Sequence, residues 1–194
     1  MIVLVLGGAR SGKSAVAERL VSAMVAPVTY VATMRVGGVG DPDQVEDPDL
    51  LARVKAHRDR RPDDWRTIEV GGSVDLADAL LDCVGTVLLD SLGPWVAGSM
   101  LGAGADVGVR AESVRLCAAL RERTGDTVVV SEEVGFGVHP SSEDGRLFRD
   151  RLGAVNQAVS AVADEAYLVV AGRFVRLTDL SGLGLGLGDG PGSV

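Results

Sequence analysis

Three observations predict an α/β fold: a mostly parallel sheet with helices on both faces, closed by an antiparallel hairpin at its C-terminal end. Short runs of Val, Leu and Ile alternate with longer segments of helical spacing along most of the chain. A hydrophobic content of 46% with only 4% aromatic residues suits an Ala/Val/Leu core whose strands are covered on both sides. The first apolar run, Met1 to Leu6, passes straight through a glycine-rich turn into a helical run, Ala15 to Met24. The 194 residues are read as a single domain over 1–177, followed by a Gly-rich, flexible tail over 178–194.

That first turn carries the chemistry. Gly7, Gly8, Ala9, Arg10, Ser11, Gly12, Lys13 and Ser14 fit the pattern G-x-x-x-x-G-K-[ST]. Glycines let backbone N–H groups curl around phosphate oxygens, and the helix N-terminus adds partial positive charge. Lys13 is placed to neutralise β- and γ-phosphates, and the Ser14 hydroxyl to ligate a bridging Mg2+. A nucleotide-binding P-loop NTPase is therefore expected, with its reaction left open between a kinase, a transferase and a nucleotide-dependent switch.

The remaining elements follow in order. Residues 27–33 are β-branched and predict the second strand, ending at Ala32, Thr33 and Met34 on the edge that a parallel sheet offers to ligands. Residues 36–48 are rich in Gly, Pro and Asp and read as a surface loop. Asp49 is the expected N-cap of a helix to about residue 60, which Pro62 stops. Residues 65–70 predict a third strand. Ser73 is the expected cap of a helix over 74–83 with Leu76, Leu80 and Leu81 inward. Residues 86–90 form a short apolar run ending in Asp90, the form of a strand-end carboxylate that contacts Mg2+ or its water shell. Helices are expected over 92–101 and over 107–123, the second with Val114, Leu116, Cys117 and Leu120 inward. A buried strand over 126–131 leads to Glu132 and Glu133. Ser142 opens a long helix through residue 163, and 166–170 with 173–177 form the hairpin.

The net charge of −8 argues against a nucleic-acid surface. Cys83 and Cys117 lack metal-type spacing and read as reduced core residues. No apolar run reaches membrane-spanning length, and Met1 leads directly into a strand, so a cytoplasmic protein without membrane insertion is expected.

A second constellation, His57-Arg58-Asp59-Arg60-Arg61-Pro62, concentrates positive charge in an otherwise acidic chain. Arginine forks suit phosphate oxygens, a guanine edge or a carboxylate. His57 among them suits a general base, a proton shuttle or a covalent nucleophile toward phosphorus, although a solvated basic helix would have the same spacing. His139, before Pro140, reads as a surface-loop residue.

From Met1 to about Leu177 the chain resembles the bifunctional adenosylcobinamide kinase/adenosylcobinamide-phosphate guanylyltransferases of cobalamin biosynthesis. The resemblance rests on the Gly7–Ser14 turn, Tyr30-Val-Ala-Thr33, the run from His57 to Thr67, Val87-Leu-Leu-Asp90, Glu133-Val-Gly135, Phe148-Arg-Asp150, Asn156-Gln157 and Ala163-Asp-Glu165. It implies that adenosylcobinamide is phosphorylated and then receives GMP from GTP, with ATP or GTP as phosphate donor. It implies that His57 is the residue guanylylated, that Arg58, Asp59, Arg60 and Arg61 contact nucleotide, and that Glu69 and Asp90 are the acidic positions of the nucleotide site. Ala32, Thr33 and Met34 match a nucleotide contact at the end of the second strand. A RecA-like P-loop fold and a homotrimer are implied as well. Glu132 departs from the resemblance, standing where the family usually has an asparagine.

Overall fold

The computed structural model describes residues 1–34, 55, 59, 61–70, 75–100 and 105–179. The expectations for the 36–48 loop, for the caps Asp49 and Ser73, for His57, Arg58 and Arg60, and for nearly all of the tail lie outside them.

Seven strands form one sheet: β1 (Ile2–Gly7), β2 (Val28–Ala32), β3 (Arg66–Glu69), β4 (Thr86–Asp90), β5 (Thr127–Glu132), β6 (Glu165–Val170) and β7 (Arg173–Leu177). Their order is β3-β2-β4-β5-β1-β6-β7. Every pairing is parallel except β6 with β7, the expected hairpin. Among the described residues, the helices with defined bounds are α1 (Lys13–Ser22), α2 (Leu76–Leu81), α3 (Leu92–Ser99), α4 (Ala105–Glu122) and α5 (Glu143–Ser160).

Strand periodicity divides the core in two. Leu4, Leu6, Val31, Val87, Leu89 and Val129 face α2, α3, α4 and α5, which contribute Leu80, Leu92, Val96, Leu116, Leu120 and Leu152. Val3, Val5, Tyr30, Leu88, Val128 and Val130 face the other way, onto Ala17 and Val21 of α1. Both faces are thus covered, but unequally: among the described residues, α1 is the single helix packed on the second face. Burial on both sides explains why β1, β4 and β5 read as unbroken apolar runs rather than alternating ones.

Two helices depart from their expected form. Helix α2 is capped by Asp75, whose carboxylate accepts from the N–H groups of Ala77 and Asp78, and Leu81 is exposed rather than inward. On α4, Val114 is 66% exposed while Ser113 takes the buried position beside Leu116. Cys83 is buried, Cys117 is half-buried, and both are free thiols.

Because the parallel strands share one direction, their carboxyl ends collect along one edge. Register fixes which residues meet there: Gly7 pairs with Glu132, Ala32 with both Asp90 and Glu69, and Asp90 with Val130.

Candidate active site

The turn from Gly8 to Gly12 joins β1 to α1 through two left-handed residues, Arg10 (φ 56°) and Gly12 (φ 92°). A side chain at Gly12 would be strained by that φ and would approach the Gly172 Cα to 3.3 Å. The β6–β7 turn is this close because Gly172 N–H donates to the Ser11 carbonyl at 2.8 Å. Within the loop, Ser11 N–H donates to the Gly8 carbonyl and Lys13 N–H to the Ser11 hydroxyl. No side chain caps α1, whose first turn opens on the loop. Such a turn presents N–H dipoles to an anion.

Lys13 and Ser14, on the first turn of α1, reach the ends of neighbouring strands. The Ser14 hydroxyl lies 3.5 Å from Asp90 Oδ1 and donates to it. Lys13 Nζ lies 3.5 Å from Glu132 Oε1 and the same distance from the Gly8 carbonyl. A hydroxyl and a carboxylate at a phosphate loop are hard oxygen donors of the kind Mg2+ takes when phosphate oxygens and water complete its shell. Ser14 and Asp90 therefore fit the expected metal.

The other Asp90 oxygen, Oδ2, accepts a hydrogen bond from the Tyr30 hydroxyl at 2.9 Å. Burial holds the Tyr30 phenol far above its ordinary pKa, and the Asp90 charge and hydrogen bond add to the effect. Tyr30 therefore remains a donor to Asp90. The Arg61 guanidinium stacks on its ring, 3.7 Å from the centroid, and Arg61 Nη1 donates to Thr67 Oγ1 at 3.2 Å. Arg61, Pro62, Asp63, Trp65, Thr67 and Glu69 line an open cavity of about 420 Å³. The C-terminal end of the basic run is in this way joined to the phosphate loop through Arg61, Tyr30, Asp90 and Ser14.

The other candidate residues are placed as follows. Thr33 is buried, and its hydroxyl is engaged with both backbone groups of Ser91, so it fixes the β4–α3 junction. Ala32 and the more exposed Met34 flank it, and Glu69 ends β3 beside them. Asp59 is exposed, and its Oδ2 accepts from Lys55 Nζ at 2.5 Å. Glu133 accepts from Gly135 N–H at 2.6 Å, closing its own turn. His139 is exposed, with Nδ1 2.8 Å from Arg149 Nη1, as a surface-loop residue should be.

The roles of Tyr30, Ser91 and Thr67 are absent from the sequence reading. Tyr30 carried a detectable signal: alternation along β2 puts it on the α1 side, two residues from the strand end. Thr67 closes the run that begins at His57, whereas nothing local marks Ser91.

Comparison with known proteins identifies the family. Residues 3–177 match the family model described as cobinamide kinase / cobinamide phosphate guanyltransferase. The bifunctional adenosylcobalamin biosynthesis protein CobU of Escherichia coli (strain K12) is 36% identical over 190 residues, covering 91% of this chain and 99% of that protein. Its Salmonella typhimurium (strain LT2) counterpart is 39% identical over 196 residues, with the same coverage of each. A solved structure from Pyrococcus horikoshii OT3 superposes with a TM-score of 0.51 at 6% identity, covering 92% of this chain and 86% of the other, a likeness of fold alone. Matched from the first strand to the last, this chain belongs to the cobinamide kinase / cobinamide phosphate guanyltransferase family.

Proposed function

We propose that this enzyme phosphorylates the aminopropanol hydroxyl of adenosylcobinamide and then transfers GMP from GTP to the resulting phosphate, giving adenosylcobinamide-GDP. Besides family membership, the observation that carries the reading is the chain from Arg61 through Tyr30 and Asp90 to Ser14. It ties the segment that follows His57 to the phosphate loop, as a site handling both ends of one triphosphate requires.

In the first reaction the acceptor hydroxyl gives up its proton to solvent as its oxygen bonds to the γ-phosphorus of ATP or GTP, the bond to the β-phosphate oxygen breaks, and the nucleoside diphosphate departs. In the second, an imidazole nitrogen of His57 bonds to the α-phosphorus of GTP and pyrophosphate leaves with the electrons of the broken P–O bond. A phosphate oxygen of adenosylcobinamide phosphate then attacks that phosphorus and expels the imidazole. The Gly8–Gly12 N–H groups and Lys13 stabilise the negative charge of the leaving group in both. Ser14 and Asp90 would hold Mg2+, which when bound withdraws charge from the phosphate oxygens. Tyr30 keeps Asp90 oriented, and Arg58, Asp59, Arg60, Arg61, Glu69, Ala32, Thr33 and Met34 surround the nucleotide.

We further infer a cytoplasmic homotrimer. No helix among the described residues is long and apolar enough to cross a membrane. The edge strand β7 leaves Phe174, Val175 and Leu177 exposed, which favours self-association. Sedimentation of the purified chain tests the assembly; a monomer at micromolar concentration would refute it.

Incubation with magnesium and GTP labelled at the α-phosphate, followed by denaturation, tests the chemistry. An acid-labile, alkali-stable label is expected on wild type and absent from His57→Asn. A wild-type enzyme that phosphorylates adenosylcobinamide yet takes no label would refute the transfer mechanism.

A further inference from the structure

Glu132 puts a carboxylate where the proposed ligand puts its own negative charge. It ends β5 in register with Gly7, and its side chain is about one-quarter exposed. Its Oε2 accepts from the Gly93 N–H at 2.9 Å. Its Oε1 accepts from the Ser91 hydroxyl at 2.8 Å and lies 3.5 Å from Lys13 Nζ. Gly93 makes this seat possible, since a Cβ there would overlap the carboxylate. The main chain behind Glu132 is held too: its carbonyl accepts from Asn156 Nδ2 at 3.0 Å, and Asn156 in turn accepts from Ser131 Oγ.

These partners are not equivalent. Ser91 and Gly93 belong to the N-terminal turn of α3, which is anchored in the core by Leu92 and Val96. Lys13 ends in a flexible four-carbon stem. When a phosphate oxygen draws Lys13 toward itself, the carboxylate stays on α3, left without its cation and close to the added negative charge. We propose that Glu132 is a positioning residue for Lys13, competing with the β- and γ-phosphates for the ammonium and thereby weakening the hold of the loop on triphosphate and on pyrophosphate. This rests on the reading of Gly7–Ser14 as the triphosphate cradle. Its consequence is release: pyrophosphate freed by GMP transfer must leave before the next nucleotide binds, and an anchored counter-ion recaptures Lys13 as it goes. Product release rather than chemistry limits turnover in many enzymes.

The test is calorimetric titration of wild type, Glu132→Gln and Glu132→Asn with magnesium-GTP, magnesium pyrophosphate and GMP. Both variants are neutral, and the shorter one serves if the longer fails to fold. Removal of a partly exposed charge is expected to tighten GTP and pyrophosphate by about 1.5- to fivefold, a range set by the strength of such ion pairs. GMP, which carries no β- or γ-phosphate for Lys13, should bind unchanged. That ratio separates positioning from a general structural effect, which would move all three ligands together. GTP binding that is unchanged or weaker in the variants overturns the inference alone, as does an equal gain for GMP. A wild type that fails to bind magnesium-GTP overturns both the inference and the reading of the cradle.

Discussion

At the scale of single residues, the site depends on pairs brought together by strand register. Lys13 faces Glu132, Ser14 faces Asp90, and Asp90 accepts from Tyr30. If one phosphate loop serves both proposed reactions, Lys13→Ala should depress phosphorylation and GMP transfer together, each by ~10²- to 10³-fold, the scale of removing one donor from a charged transition state. Separate assays of the two half-reactions check this, and a transfer rate that survived would point to two nucleotide sites. The motif members of these pairs were legible in the sequence, because Gly7 to Ser14 are consecutive and Asp90 closes an apolar run. Their pairing was not. Tyr30 and Asp90 are 60 positions apart, and Ser91 and Glu132 41 apart, so no local spacing links them.

At the scale of elements, loop conformation and helix facing decide the outcome. Gly12 combines a left-handed φ with a close approach to Gly172, so Gly12→Ala should cost about 1–2 kcal/mol of stability from the backbone alone. It should also displace the first-turn N–H groups and weaken triphosphate binding. Denaturant titration and GTP calorimetry together check this; a variant with wild-type affinity would mean that the turn tolerates a side chain. Arg123, at the end of α4, presents a different case. Its guanidinium donates to the carbonyls of Leu80, Cys83 and Gly85 and to the Thr127 hydroxyl. Arg123→Met leaves those carbonyls without their charged donor and should destabilise the fold by about 2–4 kcal/mol, read by urea unfolding. Strand positions were largely legible: residues 86–90 and 173–177 form strands with the bounds that the sequence predicts. Helix facing was less so. On α4 the buried line runs through Val109, Ser113, Leu116 and Leu120, steps of three and four residues. Val114 lies one residue, about 100°, off that line, so an apolar side chain ended outside and a small polar one inside. Asp75 caps α2 because the helix begins at Leu76; Asp and Ser are both good caps, and the choice between them depends on where the helix begins.

At the scale of the whole molecule, the two-faced core sets the response to pH. Tyr30 and Cys83 are both buried, and burial is the leading cause that raises each above its ordinary pKa, about 10 for the phenol and about 9 for the thiol. A proton held more tightly in the folded than in the unfolded chain stabilises the fold below the unfolded-state pKa. That stability is lost as pH climbs above it, because the unfolded chain ionises first. Free energy of unfolding should therefore be insensitive to these two groups through neutral pH. It should begin to fall above about pH 9, where Cys83 would ionise in the unfolded chain, and more steeply above about pH 10, where Tyr30 joins it. Each group adds a slope of up to about 1.4 kcal/mol per pH unit. Cys83→Ala and Tyr30→Phe each remove one contribution, so the stability gap between wild type and each variant should narrow across the corresponding window. Urea unfolding of the three proteins between pH 7.5 and pH 11 measures it. A gap that stays constant from pH 9 upward would mean that the burial of these groups does not govern their protonation.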